Sequence, residues 1–144
     1  MNRFIFLIIV LITFSCGEKQ NETKIEVVKE KIIKEFGFTL NNFNVKKDTI
    51  ESGDSFGLIL EKNNLFYPKI YNIVQETKKV FDIRKINVGR PYTILSSKDS
   101  LNKPLVFIYQ PNAVDYLVVS LGDSLWAEKN QKEIKLKEFE AMGL

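Results

Sequence analysis

The stretch that most invites a chemical reading is Gly122-Asp123-Ser124-Leu125, because a serine behind Gly-Asp can serve as an esterase nucleophile. Its hydroxyl attacks only when a positioned base takes the proton, most often a histidine. The chain has 144 residues and no histidine, and no lysine stands near Ser124 in a recognisable Ser-Lys arrangement. Two near copies, GDSF at 53–56 and KDSL at 98–101, show the pattern used three times, which fits turn building better than catalysis. Gly122-Asp123 therefore reads as a two-residue hairpin turn between VDYLVVSL and SLWAE, with glycine supplying the positive φ. No catalytic residue is assigned. With one cysteine and no histidine, the chain also lacks the close set of three or four ligands that zinc requires.

The elements that hold these turns follow from hydrophobic spacing. Ile25, Val28, Ile32 and Phe36 mark one face of an amphipathic helix over 25–36, stopped by Gly37, within a lead-in of 25–42. Residues 43–50 (FNVKKDTI) form a strand that enters a turn at Glu51-Ser52-Gly53-Asp54. A helix from Ser55 to Lys62 turns Phe56, Ile59 and Leu60 inward, and Asp54 is expected to cap it. Pro68 suits the first turn of a second helix reaching about Thr77, with Ile70, Ile73 and Val74 inward. Gly89 turns the chain and Pro91–Ser97 returns as a strand. Beyond Asp99 come short strands at 105–110, 115–121, 124–129 and 133–139, joined by PNA, GD and NQK. Trp126 is expected in the core or on a sheet face. The fold class is α+β, with a strand-helix-helix-strand unit over 43–98 and an antiparallel strand-rich region over 99–144.

The amino terminus carries a separate signal. Arg3 precedes Phe4–Phe14, an almost wholly apolar run of 11 residues. That is too short for a spanning helix, which takes about 20 residues, and suits the core of a secretory leader. Ser15-Cys16-Gly17 and the polar GEKQNETK follow, and this resembles a bacterial lipobox of the relaxed kind frequent in Bacteroidota. The resemblance implies a signal peptide over 1–15, lipid on Cys16, and a polar tether over 16–24. The alternative is an uncleaved anchor with an incidental cysteine. A lipidated Cys16 also leaves the exported domain without a thiol to oxidise. The formal net charge of +3 forms no basic stripe, so nucleic acid is not an expected partner.

The strand-helix-helix-strand order, Gly53-Asp54-Ser55-Phe56 at the first turn and Val88-Gly89-Arg90-Pro91-Tyr92 before the last strand resemble the LysM fold. That resemblance implies a glycan groove between Ser52, Gly53, Asp54 and Ser55 on one wall and Asn87, Gly89 and Arg90 on the other. Phe66 and Tyr67 lie close enough in sequence to offer stacking surfaces. Taken with FGFTLNNF, FDIRKINVGRPYTIL and KPLVFIYQPNAVDYLVV, the mature chain resembles the amino-terminal half of a lysostaphin-type zinc metallopeptidase (family M-twenty-three) of Bacteroidota, a murein endopeptidase. The family holds its zinc with a His-x-x-x-Asp pair and a His-x-His motif in a carboxy-terminal domain. None of those ligands has a counterpart here.

The resemblance implies either a piece of such a gene or a non-catalytic homologue. The first reading is a wall-facing region that orients on peptidoglycan or regulates a peptidase domain, with zinc only in that other domain. The second is a free-standing lipoprotein that binds murein or an envelope partner. Both place the chain outside the cytoplasm, anchored through Cys16 and facing the periplasm. Expressed in a bacterium fed labelled palmitate, the chain should take up label and Cys16→Ala should not; an alanine variant processed and labelled like wild type would refute the assignment.

Overall fold

The computed structural model describes residues 31–133. The leader, Cys16, the tether, the first part of the 25–36 helix and nearly all of the strand expected at 133–139 lie outside those residues. The described elements are β1 (Lys34–Glu35), β2 (Phe38–Thr39), β3 (Asn44–Thr49), α1 (Phe56–Lys62), α2 (Lys69–Lys78), β4 (Pro91–Ser96), β5 (Pro104–Tyr109), β6 (Asp115–Ser120) and β7 (Ala127–Gln131). Strands β3 to β7 form one five-stranded sheet in sequence order, antiparallel throughout. The α+β class and the strand-helix-helix-strand order over 43–98 are present. The boundary drawn at 98/99 falls in the short connection between β4 and β5, which pair along their length, so one sheet runs through both expected regions.

Side chains alternate across a strand, and here both faces are covered. Tyr92, Ile94, Phe107, Tyr109, Leu117 and Val119 face the helices and join Phe56, Ile59, Leu60, Ile70 and Ile73 in the larger core. Leu95, Val106, Ile108 and Val118 face the other way and pack under Phe36 and Leu40. Burial on both faces explains why β5 reads as the apolar run PLVFIY rather than as an alternation. Phe107 lies at the centre, edge-on to Phe56 at 5.2 Å and stacked with Tyr92 at 5.6 Å between ring centroids.

The described end of the 25–36 segment is not helical. Phe36 and Gly37 have φ of 54° and 82°, so they form the two central residues of a tight hairpin turn joining β1 to β2. Phe36 is buried against Tyr116, whereas Ile32 is 68% exposed. The helical spacing of these residues was therefore a coincidence at its carboxy-terminal end.

The expected turn at Gly122-Asp123 is likewise replaced. β6 ends at Ser120 and β7 begins at Ala127, and the wider loop closes through Ser120 N–H to Trp126 C=O (2.8 Å) and Ser120 Oγ to Ser124 C=O (2.6 Å). Gly122 does not have a positive φ, so the residue type that suggested a two-residue turn is not used for one. Trp126 lies in this loop at 39% exposure rather than in the core. β7 continues through Gln131, so NQK is largely strand and not a connection.

Candidate functional site

The first turn is built by Asp54. Gly53 takes φ of 89°, a conformation open to glycine at no steric cost, and Asp54 N–H donates to Glu51 C=O (3.1 Å). The Asp54 carboxylate then accepts from Glu51 N–H through Oδ2 (2.9 Å) and from Lys62 Nζ through Oδ1 (2.7 Å). Its side chain is 6% exposed. The Lys62 ammonium, and after it the Glu51 amide, hold the Asp54 carboxyl below its ordinary value. Asp54 is thus not the helix cap. Ser55 is, its Oγ accepting from Leu58 N–H at 3.2 Å with extended backbone at the cap position. Asp and Ser are both competent caps, and the carboxylate is already committed to the turn and to Lys62.

The opposite wall does meet the first turn. Ile50 N–H donates to Arg90 C=O (3.0 Å) and Gly89 N–H to Ile50 C=O (2.8 Å). Asn87 N–H donates to the hydroxyl of Tyr109 (3.1 Å). Gly89 has φ of 81°, and Arg90 N–H closes its loop onto Asn87 C=O (3.2 Å). Of the seven residues nominated from sequence, however, only Asp54 and Ser55 line the nearby groove of ≈ 420 Å³. Its other walls include Gly57, Tyr67, Ile83 and Arg84. Arg84 is engaged by Asp82 in a paired contact of 2.9 and 3.0 Å, which holds the Asp82 carboxyl at about 2. Ser52, Gly53, Asn87, Gly89 and Arg90 are exposed and do not line it.

Phe66, Tyr67 and Tyr71 are 66%, 72% and 56% exposed at the start of α2, and of the three only Tyr67 lines this groove. Phe66 and Tyr67 precede α2, and Tyr71 lies in its first turn. Ser124 gains nothing from the structure: its carbonyl accepts from Ser120 Oγ, and no hydrogen bond to its hydroxyl is present among the described residues. Among those residues no three His, Cys, Asp or Glu side chains come together as a metal cluster, and no helix is long and apolar enough to cross a membrane. The third Asp-Ser pattern also builds a turn, since Asp99 Oδ1 accepts from Ser97 Oγ (2.7 Å) and from the amides of Leu101 and Asn102 (both 3.1 Å).

No family model matches the sequence, and no curated protein matches it. Among solved structures the fold is similar to part of a zinc-containing peptidase from Vibrio cholerae, with a TM-score of 0.52 and 13% identity over 60% of this chain. The chain spans 27% of that peptidase's length. At this identity the likeness is one of fold.

Ser55→Ala should lower stability by about 0.5–2 kcal/mol, and Ser55→Asp should retain the cap. Asp54→Asn should also lower the unfolding midpoint, with a distinct pH signature. A carboxyl whose folded pKa is depressed contributes stability that is complete above its ordinary value and fades as pH falls through the folded one. The gap between wild type and Asp54→Asn should therefore hold steady from pH 8 to pH 5 and close below the ordinary value of 3.8. A gap independent of pH would show that the Lys62 pairing does not operate.

Proposed function

We propose that this chain is the non-catalytic, wall-facing region of a peptidoglycan-hydrolysing envelope lipoprotein. It orients on murein or regulates a zinc peptidase domain, and is held at the membrane by lipid on Cys16. The observation that carries the reading is a fold shared with part of a zinc-containing peptidase in a chain with no histidine. Zinc needs several nitrogen, sulfur or oxygen ligands in close array, and a chain without histidine fits the reading of a part that does not hold the metal. The Cys16 signal and the polar residues behind it supply the export and tethering that a wall-facing role requires, since two or more acyl chains anchor stably where one does not. Zinc, in this reading, belongs to the peptidase domain and not to these residues. The proposed partners are peptidoglycan, the membrane through its lipid, and a peptidase domain or other envelope protein.

The test uses the purified full chain in detergent with isolated sacculi. The chain should sediment with sacculi and release no muropeptides, with or without added zinc. A chain that stays in the supernatant would refute wall binding, and zinc-dependent release of muropeptides would refute the non-catalytic assignment.

A further inference from the structure

The helix pair buries one side and leaves the other to solvent. Phe56, Ile59, Leu60, Ile70 and Ile73 enter the larger core, whereas Phe66, Tyr67 and Tyr71 are exposed. Helical hydrogen bonding already begins at the first of these rings, with Ile70 N–H donating to Phe66 C=O (3.2 Å) and Asn72 N–H to Pro68 C=O (3.3 Å). The three rings thus stand outward on one short stretch of chain. Single exposed apolar residues are ordinary, but large ones grouped in this way mark an interaction surface.

The shape of the surface narrows what covers it. Phe66 and Tyr71 border neither the groove at the first turn nor the polar cavity of ≈ 350 Å³ between β3 and the end of α1, which Asn44, Asn63, Asn64 and Asn102 help to line. Small ligands are held in concave sites, so rings outside any concavity suit a broad partner. Charge narrows it further. From Phe56 to Lys79 the helix pair carries Lys62, Lys69, Lys78 and Lys79 against Glu61 and Glu76, and with Asp54 set against Lys62 the surface is still positive.

We propose that this face is a membrane contact, in which Phe66, Tyr67 and Tyr71 enter the headgroup layer of an anionic bilayer while Lys69 and Lys78 meet lipid phosphates. Aromatic rings with a polar tip settle at the membrane–water interface, and lysines are drawn to an anionic leaflet. The proposal rests on the anchoring through Cys16 and assigns the face that the anchored domain turns to the membrane. Cys16 stands fifteen residues before Lys31, so an anchor there keeps the domain within about 54 Å of the bilayer even at full extension. Tethering at that range makes a contact effective that would be too weak to hold a free protein. The side of the sheet covered by the β1–β2 hairpin then faces away from the membrane and toward the wall.

The probe is the full chain on vesicles of phosphatidylcholine and phosphatidylglycerol, with and without lipid brominated near the top of its acyl chains, which quenches an indole reaching that depth. Trp126 is the one tryptophan of the chain and serves as the reference. Phe66→Trp and, separately, Tyr71→Trp, each in a Trp126→Phe background, should unfold near the wild-type midpoint because all three positions are exposed. On floated vesicles the indoles at positions 66 and 71 should shift to the blue and lose fluorescence to the brominated lipid, and Trp126 of the wild type should not. No quenching at positions 66 and 71 would overturn the membrane contact and leave the Cys16 anchor standing. Quenching of Trp126 as strong as at the ring positions would overturn the choice of face. A blue shift produced by sacculi without vesicles would assign the rings to the wall instead. A chain that does not float with vesicles would overturn the anchor and the contact together.

Discussion

β4 and β5 lie side by side in the sheet with their side chains covered on both faces, and the other described elements pair or pack around them. Phe107, Ile108 and Tyr109 are fully buried in succession, each burial worth about 1.5–3 kcal/mol for side chains of this size. The helix pair rests on Tyr92, Ile94, Phe107 and Tyr109, and the β1–β2 hairpin rests on Leu95, Val106 and Ile108. The register shifts between Leu95 and Ser96, and the chain then enters the loop ordered by Asp99, which brings Asn102 to Asn44 on β3. The amide-lined cavity is thus a consequence of how the central strands end.

Local chemistry was legible from the sequence wherever a side chain answered to its neighbours alone. Pro68 ahead of α2, the inward spacing of Phe56, Ile59 and Leu60, and the apolar strands β5 and β6 all lie where their residue types place them. Errors arose where two local solutions were equally good. Asp54 and Ser55 can each cap a helix, and only the position of Lys62, eight residues away from Asp54, separates their roles. Gly122 can make a tight turn but does not, because Ser120 bonds across to Trp126 and Ser124 instead.

Non-local features were not legible at all. Nothing in the composition of 43–98 or 99–133 says that the two share a sheet, since pairing is a property of two segments and not of either. The same holds for the cavity, whose carboxamides come from positions 44, 63, 64 and 102. Of the residues nominated at the first turn, Asp54 and Ser55 line the nearby groove, and turn closure, helix capping and the Lys62 pair occupy their polar atoms. The exposed rings at the start of α2 and the polar concavity beside β3 are held by the same sheet.

Native-state hydrogen exchange of the full chain in detergent tests that dependence most directly. If one sheet organises the molecule, the slowest amides of β4, β5 and β6 should exchange with a single free energy equal to that of global unfolding, and denaturant should lower them together. Amides of β5 and β6 that exchange as a unit separate from β4, with their own lower free energy, would show two independently folding regions meeting near residue 98 and would contradict the account.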